Sequence, residues 1–119
     1  PYMVPLTKLV VDYVSKEGFE VVDWRALEIP DNLDVGRHDP AKLPRIVADM
    51  NYADADVIVL SACVQMPSLA AVAEVEAQTR KPVVTAAIAT TYAILANLGL
   101  DTVVPGAGAL LSGAYPSRV

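Results

Sequence analysis

Segments with the periodicity of a helix alternate along this chain with short apolar segments typical of strands. Helices are predicted at residues 5–17, 40–51, 67–78 and 90–98, and strands at residues 19–27, 56–60 and 82–86. Gly18 and Gly99 mark the ends of the first and last helices, and Asp39 is a predicted N-cap. This alternation predicts an α/β fold, with a parallel sheet flanked by helices and right-handed crossovers between its strands.

The composition restricts the partners and the compartment. With 119 residues, 54% of them hydrophobic, the chain has the size of one domain that can bury a core. The net charge of -5, with both signs interspersed, predicts neither a nucleic-acid partner nor an anionic membrane partner. No apolar run approaches the roughly 20 residues of a membrane span. A single cysteine cannot form a disulfide within the chain and favours a reducing compartment, the cytoplasm.

A first strand is expected to be missing from this chain. Residues 1–3 lead directly into the first helix, whereas a doubly wound domain usually begins with its central strand. Three strands alone would leave an open sheet edge or an uncovered face. We therefore expect the complete protein to contain further chain.

Polar side chains follow each strand of the predicted sheet. If the missing strand is counted first, Tyr2, Asn32, Cys63 and Thr85 follow the four strands in turn. The carboxyl ends of parallel strands lie at one edge of the sheet, where such folds bind ligands, so these side chains should converge. A phenol, an amide, a thiol and a hydroxyl donate hydrogen bonds without carrying a fixed positive charge. The pattern predicts a site for a small polar anion held by neutral donors and helix N-termini.

The only cysteine, Cys63, lies between a predicted strand and a predicted helix, in the segment VIVLSACVQMPSL. A lone cysteine is commonly a small buried hydrophobic residue. A thiol just before a helix N-terminus is instead exposed to the positive end of the helix dipole, which stabilises a reactive thiolate. Because the segment contains no basic residue, spacing alone leaves both interpretations open.

Three other motifs predict no cofactor and no metal site. The segment PGAGALLSG at residues 105–113 lacks the Gly-Lys-Ser/Thr ending of a phosphate-binding loop, and we interpret it as closely packed backbone near the second half or a terminus. In DNLDVGRHD, residues 31–39, Leu33 and Val35 stand where a calcium loop needs oxygen ligands. His38 has no cysteine or histidine at ligand spacing, which favours a capping or surface role.

Five segments carry a resemblance to a known family: PYMVPLTKLVVDYV, WRALEIPDNLDVGRHDP, DVIVLSACVQMPSL, VVTAAIATTYAIL and VPGAGALLSG. Together they resemble the C-terminal half of bacterial maleate cis-trans isomerases, in the aspartate/glutamate racemase superfamily. The resemblance covers essentially the whole chain, and LSACVQMPSL is its most specific part. It implies a flavodoxin-like half-domain that faces a second, similar half, with one essential cysteine in each half and the active site between them.

The resemblance also assigns roles to residues. It implies that Cys63 is the second catalytic thiol, that Tyr2 and Asn32 contact the substrate carboxylates, and that the amides near Val64 and Gln65 complete a carboxylate or oxyanion cradle. A thiolate of the other half would add to maleate, and rotation about C2–C3 and expulsion of the thiol would give fumarate. Cys63 would move protons or help to ionise its partner. No cofactor is implied, and the protein is expected to be a cytoplasmic homo-oligomer of nicotinate degradation.

Other functions stay open beside maleate isomerisation. Racemases of aspartate, glutamate or hydantoins and arylmalonate decarboxylase use related thiol geometry on other substrates. A non-catalytic module that binds a small anion is the alternative outside enzymes, because this chain has a single cysteine. A second thiol that follows a strand about one domain upstream in the complete gene would support an enzyme.

Overall fold

The structure, a computed structural model, describes residues 1–61 and 66–115. Its elements follow in the order α1 (Val4–Lys16), α2 (Asn32–Gly36), a first 3-10 turn (Pro40–Lys42), α3 (Leu43–Ala48), β1 (Ile58–Val59), α4 (Leu69–Thr79), β2 (Val83–Val84), α5 (Ala86–Asn97) and a second 3-10 turn (Ala109–Leu111). In the described residues, β1 and β2 form a two-stranded parallel sheet, with Ile58 opposite Val83 and Val59 opposite Val84. The predicted α/β fold with a parallel sheet and flanking helices is confirmed.

Short polar side chains and glycines set several helix ends. Asp39 Oδ1 accepts a hydrogen bond from the Ala41 N–H at 3.0 Å, as expected of an N-cap. Thr85 Oγ1 accepts one from the Ile88 N–H at 3.1 Å, and α5 therefore begins at residue 86 rather than residue 90. Gly99 follows α5 with φ +67, a backbone angle that favours glycine, and ends the helix where predicted.

The helix predicted at residues 40–51 forms in two pieces. The first 3-10 turn runs over Pro40–Lys42, and α3 runs over Leu43–Ala48. Pro44 is the second residue of α3. Proline is tolerated in the first turn of a helix, because an N–H group there has no acceptor within the helix and its loss costs no hydrogen bond. The regular helix therefore begins next to Pro44, and the residues before it form the 3-10 turn.

The strand predicted at residues 19–27 does not form among the described residues, and this prediction is wrong for the chain as it stands. Residues 19–27 carry no regular secondary structure, and the sheet of the described residues consists of β1 and β2 alone. A strand needs a neighbour about 4.8 Å away to exchange backbone hydrogen bonds. The segment has the β-branched and aromatic composition of a strand, but among the described residues no strand pairs with it.

Asp23 attaches this segment to the loop between α3 and β1. Its Oδ1 accepts hydrogen bonds from the Trp24 N–H at 2.8 Å and from Arg25 Nη1 at 2.7 Å, and its Oδ2 accepts one from the Asn51 N–H at 2.9 Å. The bond from Asn51 is the main cause that lowers the pKa of Asp23 below its usual 3.8. The resulting stabilisation is present above the unfolded pKa and is lost as the pH falls through the lowered folded pKa.

We expect Asp23→Asn to lower the free energy of unfolding of the complete protein by about 1 kcal/mol near neutral pH. An amide nitrogen cannot accept the bond from the Asn51 N–H, and the amide carries no charge. The difference between variant and parent should shrink below roughly pH 4, where the carboxylate itself becomes protonated. Denaturant unfolding over a pH series measures this, with Asp12→Asn on the exposed surface of α1 as the control. Equal stability of Asp23→Asn and parent at neutral pH would contradict the prediction.

The core lies between α4, α3 and one face of the sheet, and its buried apolar side chains are Val35, Leu43, Val47, Ile58, Leu60, Met66, Ala71, Val72, Val75, Val83, Ile88, Ala107 and Leu111. The other face of β1 and the apolar side of α1 are open, because Val59, Leu9 and Tyr13 are 59%, 65% and 67% exposed. No helix in the described part of the chain is long and apolar enough to cross a membrane.

Candidate functional site

The carboxyl ends of β1 and β2 lie side by side. The Leu60 N–H donates a hydrogen bond to the Val84 carbonyl at 2.9 Å. The next residue after each of these, Ser61 and Thr85, therefore leaves the sheet at the same edge. Ser61 is exposed, whereas Thr85 is buried and caps α5. The structure thus brings together the two strand exits that the sequence predicted to hold Cys63 and Thr85.

The other two predicted exits are also joined, through their backbone. The Glu28 N–H donates to the Tyr2 carbonyl, and the Ile29 N–H donates to the Pro1 carbonyl, both at 3.1 Å. Tyr2 therefore lies against the segment that leads into α2. Tyr2 is half-buried, and Asn32, the first residue of α2, is exposed. No hydrogen bond joins these two side chains in the described structure.

Glu28 adopts an unusual backbone conformation at this junction. Its φ is 51, in the left-handed region, which costs a residue with a side chain roughly 1–2 kcal/mol. The left-handed turn coincides with the hydrogen bond to Tyr2 and lies four residues before Asn32. Sequence reasoning missed this residue because glutamate gives no local signal for a positive φ. Strained residues of this kind are often found at functional sites.

Three predicted site residues, Cys63, Val64 and Gln65, lie outside the described residues. The helix that follows them, α4, begins at residue 69 and not at residue 67 as predicted. Five residues thus lie between Cys63 and Leu69, the first residue of α4. The field of a helix dipole falls off within about one turn, so sequence spacing alone does not argue for a thiolate activated by α4.

His38 is partly buried. Its Nδ1 is buried without a hydrogen-bond partner in the part of the chain that the structure describes. Burial is the main cause that lowers the pKa of His38 below 6.5, and the positive charge of Lys42 acts in the same direction. The folded chain therefore favours the neutral imidazole. The protonation of His38 therefore does not destabilise the folded chain above pH 6.5, its usual pKa. As the pH falls from there through the lowered folded pKa, the unfolded chain binds the proton more readily and the folded chain loses stability.

Four described side chains are suited to a small anion. Ser61 and Thr85, at the exits of β1 and β2, provide two hydroxyls, and Tyr2 and Asn32, at the separate junction before α2, provide a phenol and an amide; each can donate a hydrogen bond while staying neutral. A hydroxyl that accepts a capping bond, as that of Thr85 does, can still donate its own hydrogen. Fold and site together define an α/β half-domain with a candidate anion site at the carboxyl edge of its sheet.

Comparison with protein families identifies the group to which this half-domain belongs. The family model of arylmalonate decarboxylase matches residues 1–111. The chain belongs to this family, within the aspartate/glutamate racemase superfamily.

Relatives and solved structures are more specific. A maleate isomerase of Pseudomonas putida is 75% identical over 115 residues, which cover 97% of this chain and 46% of the relative. The crystal structure of the maleate isomerase Iso from Pseudomonas putida S16, in a cysteine-to-alanine variant with maleate, is similar with a TM-score of 0.94 and 65% identity, over 97% of this chain and 46% of that chain.

A third similar protein is the Nocardia farcinica maleate cis-trans isomerase, in a cysteine-to-serine variant with a covalently bound succinylcysteine intermediate. Its TM-score is 0.90 with 44% identity, over 94% of this chain and 46% of that chain. The chain spans about half the length of the curated relatives that it matches. The resemblance drawn from the five sequence segments is confirmed as homology to maleate isomerases.

Proposed function

We propose that the complete protein is a maleate cis-trans isomerase and that this chain forms its C-terminal half. The observation that carries the proposal is the 75% identity to a maleate isomerase over 97% of this chain. The relatives also support the chemistry, because one similar structure contains maleate and another contains a succinylcysteine. A succinylcysteine is the adduct that forms when a cysteine thiolate adds to one alkene carbon of maleate and the other carbon takes up a proton.

In the proposed mechanism, a thiolate of the other half attacks one alkene carbon of maleate. The C2–C3 double bond becomes a single bond, and rotation about it moves the two carboxylates from the same side to opposite sides. Loss of the proton and expulsion of the thiolate then restore the double bond and give fumarate. Cys63 supplies and removes the proton that balances these steps or helps to ionise its partner thiol. Tyr2, Asn32 and the amides near Val64 and Gln65 hold the carboxylates. The reaction is redox-neutral and consumes no co-substrate.

The experiment for this proposal is an assay of the complete protein with maleate, in which fumarate is followed by proton NMR. We expect fumarate to form without an added cofactor. Arylmalonates, aspartate and glutamate are the comparison substrates, because the family model carries the name of the decarboxylase. Carbon dioxide release from an arylmalonate, without fumarate formation from maleate, would assign the protein to the decarboxylases instead. The 119-residue chain alone has one cysteine and should form no fumarate.

Asn32→Ala and Tyr2→Phe should each lower kcat/KM of the complete protein. The expected loss corresponds to about 2–4 kcal/mol of transition-state stabilisation, and part of it should appear in kcat. Each variant lacks one donor to a carboxylate that becomes more electron-rich as the thiol adds, so the lost bond matters most in the transition state. Steady-state kinetics measure the effect. Tyr13→Phe removes a phenol from the exposed side of α1 and is the matched control. If both site variants had the kcat and KM of the parent protein, the active site would not lie at the strand exits.

We also propose that a strand of the complete protein pairs with residues 19–27. The composition of this segment favours a strand, and the sheet of the described residues has only two strands, so its edges are unpaired there. Amide hydrogen exchange of the complete protein should show protected backbone at residues 20–27, and rapid exchange there would contradict the pairing. The cytoplasmic location, the homo-oligomeric state and the place in nicotinate degradation stay predictions.

A further inference from the structure

His38 connects the helix that carries Asn32 to the first 3-10 turn. It follows α2, and its backbone N–H donates a hydrogen bond to the Val35 carbonyl at 3.3 Å. Its Nδ1 is buried and has no hydrogen-bond partner among the described residues. Buried polar atoms in folded proteins are almost always hydrogen-bonded, so this atom indicates a partner that the described residues do not supply.

The charges that act on His38 show which part of the chain lies near it. Burial is the main cause that lowers the pKa of His38. The positive charges of Lys42 and of the Pro1 nitrogen act in the same direction, and the carboxylate of Asp39 acts against them. Charges on a protein influence each other over roughly 10 Å, so the Pro1 nitrogen is a neighbour of the imidazole. The imidazole therefore lies close to the start of the segment that carries Tyr2.

In the proposed complete protein, Pro1 follows a residue of the other half, because this chain covers only 46% of the length of the matched relatives. Its nitrogen is then part of a peptide bond and carries neither a charge nor a hydrogen. The polar backbone group directly beside it is the carbonyl of the preceding residue. A neutral imidazole with its hydrogen on Nδ1 can donate to such a carbonyl. Donor and acceptor are thus expected in the same region of the complete protein.

The position of α2 depends on few contacts. A helix of five residues is too short to be stable by itself, so packing must hold it in place. Val35 is its only buried residue, and Asp31 caps its start by accepting a hydrogen bond from the Leu33 N–H at 2.7 Å. Asn32 is exposed, so the placement of α2 decides where its amide lies. A hydrogen bond from His38, two residues after α2, would hold the other end of the helix.

We propose that His38 is a positioning residue of the candidate site. Its neutral imidazole donates a hydrogen bond from Nδ1 to a backbone carbonyl of the segment that precedes Pro1 in the complete protein. This bond fixes α2 relative to the segment that carries Tyr2, and Asn32 is thereby held in its place. His38 does not touch the substrate. The proposal rests on the role of Asn32 in the proposed function, whereas the hydrogen bond itself does not depend on any substrate.

The hydrogen bond is tested by nitrogen-15 NMR of the complete protein with labelled histidines, near neutral pH. The signals of His38 are those that disappear in His38→Asn or His38→Gln. We expect the hydrogen on Nδ1, slow exchange of this hydrogen with water, and a nuclear Overhauser contact from it to a residue outside residues 1–119. A hydrogen on Nε2, rapid exchange, or contacts only within residues 1–119 would overturn the proposal. No turnover is needed, so a protein that failed to isomerise maleate could still show the bond.

Two substitutions separate positioning from packing, on whichever substrate the complete protein converts. An Asn amide occupies about the place of Nδ1, and a Gln amide about the place of Nε2. We expect His38→Asn to keep kcat/KM within about threefold of the parent and His38→Gln to lower it about 10- to 100-fold, the effect of displacing a site group by about 1 Å. Equal losses in the two variants, or parent kinetics in His38→Gln, would overturn the proposal. Arg37→Gln, at the exposed neighbouring residue, is the control and should keep the parent kcat/KM.

A double variant shows whether His38 acts through Asn32. In the Asn32→Ala background there is no amide left to position, so adding His38→Gln should lower kcat/KM by less than about threefold. If the two losses multiplied in full, His38 would act independently of Asn32 and the proposal would be wrong. Circular dichroism of each variant shows that the compared proteins are folded, and the NMR measurement on the parent protein decides the proposal if His38→Gln does not fold.

Discussion

Cys63→Ser in the complete protein should lower kcat for maleate by about 100- to 10,000-fold, the range expected when a group that transfers a proton is lost. Serine preserves the shape of the side chain but is a far weaker acid than a thiol, so it cannot exchange the proton at a useful rate. The fold should be retained, because the change removes no large apolar group. KM should change less than kcat, since the carboxylate contacts remain.

The same variant should also reveal the order of the two thiols. If the other half provides the attacking thiolate, the adduct should still form in Cys63→Ser with the carbon proton taken from water, but without the Cys63 thiol its proton is removed slowly and the adduct accumulates. Intact-mass spectrometry of the variant incubated with maleate should then show one added maleic acid per chain. In the Nocardia farcinica relative, a cysteine-to-serine variant carries a succinylcysteine, so an adduct of this kind can be stable enough to be observed.

Steady-state fumarate production and circular dichroism measure the two parts of the Cys63 prediction. Ser15→Ala, on the exposed surface of α1, is the control and should keep the parent kcat. If Cys63→Ser turned over maleate at nearly the parent rate, Cys63 would have a role in packing and not in catalysis. A folded, inactive variant with no adduct would instead show that Cys63 itself attacks the substrate or is needed to ionise the thiol that does.

Local sequence signals predicted those elements whose ends or apolar runs are marked in the local sequence. Gly18 and Asp39 correctly marked the end of α1 and the start of the first 3-10 turn, and the apolar run at residues 56–60 correctly located β1. α5 begins four residues before the expected start at residue 90, because Thr85 caps it, and its Ala- and Thr-rich sequence has too weak a periodicity to mark that start. The strand at residues 19–27 was wrong because a strand depends on a neighbour that local sequence does not specify.

The candidate site was predictable in outline, because parallel strands place their exits at one edge. The pairing of Leu60 with Val84 follows from that rule. The left-handed turn at Glu28 and its bond to Tyr2 do not, because they depend on chain segments that are distant in sequence. The buried Nδ1 of His38 is equally a property of the folded chain.

Glu76 shows how such distant contacts hold the glycine-rich segment in place. Its Oε1 accepts hydrogen bonds from the Val83 N–H at 3.0 Å, at the start of β2, and from the Ala109 N–H at 2.9 Å, in the second 3-10 turn. One carboxylate on α4 thus joins the sheet to the segment PGAGALLSG. This segment packs against α4 and β2 of the same half, which explains why it needs a residue without a side chain at Gly108.

Gly108→Ala should lower the free energy of unfolding of the complete protein by about 2–5 kcal/mol. An added Cβ would lie 2.7 Å from Val72 Cγ1, and the residue has φ +87, so the substitution combines overpacking with backbone strain. Gly106→Ala is the matched control, because Gly106 has φ +75 but no atom within 4 Å of an added Cβ, and it should cost only the backbone part, about 1–2 kcal/mol.

Denaturant unfolding of the two glycine variants, of Val72→Ala and of the double variant separates these contributions. Val72→Ala removes the methyl group that an added Cβ at residue 108 would meet, so the double variant should be more stable than the sum of the two single effects predicts. The expected coupling is about 1–2 kcal/mol, the part of the overpacking that the missing methyl group relieves. Equal losses in Gly106→Ala and Gly108→Ala, with no coupling to Val72, would mean that backbone conformation alone selects glycine at position 108.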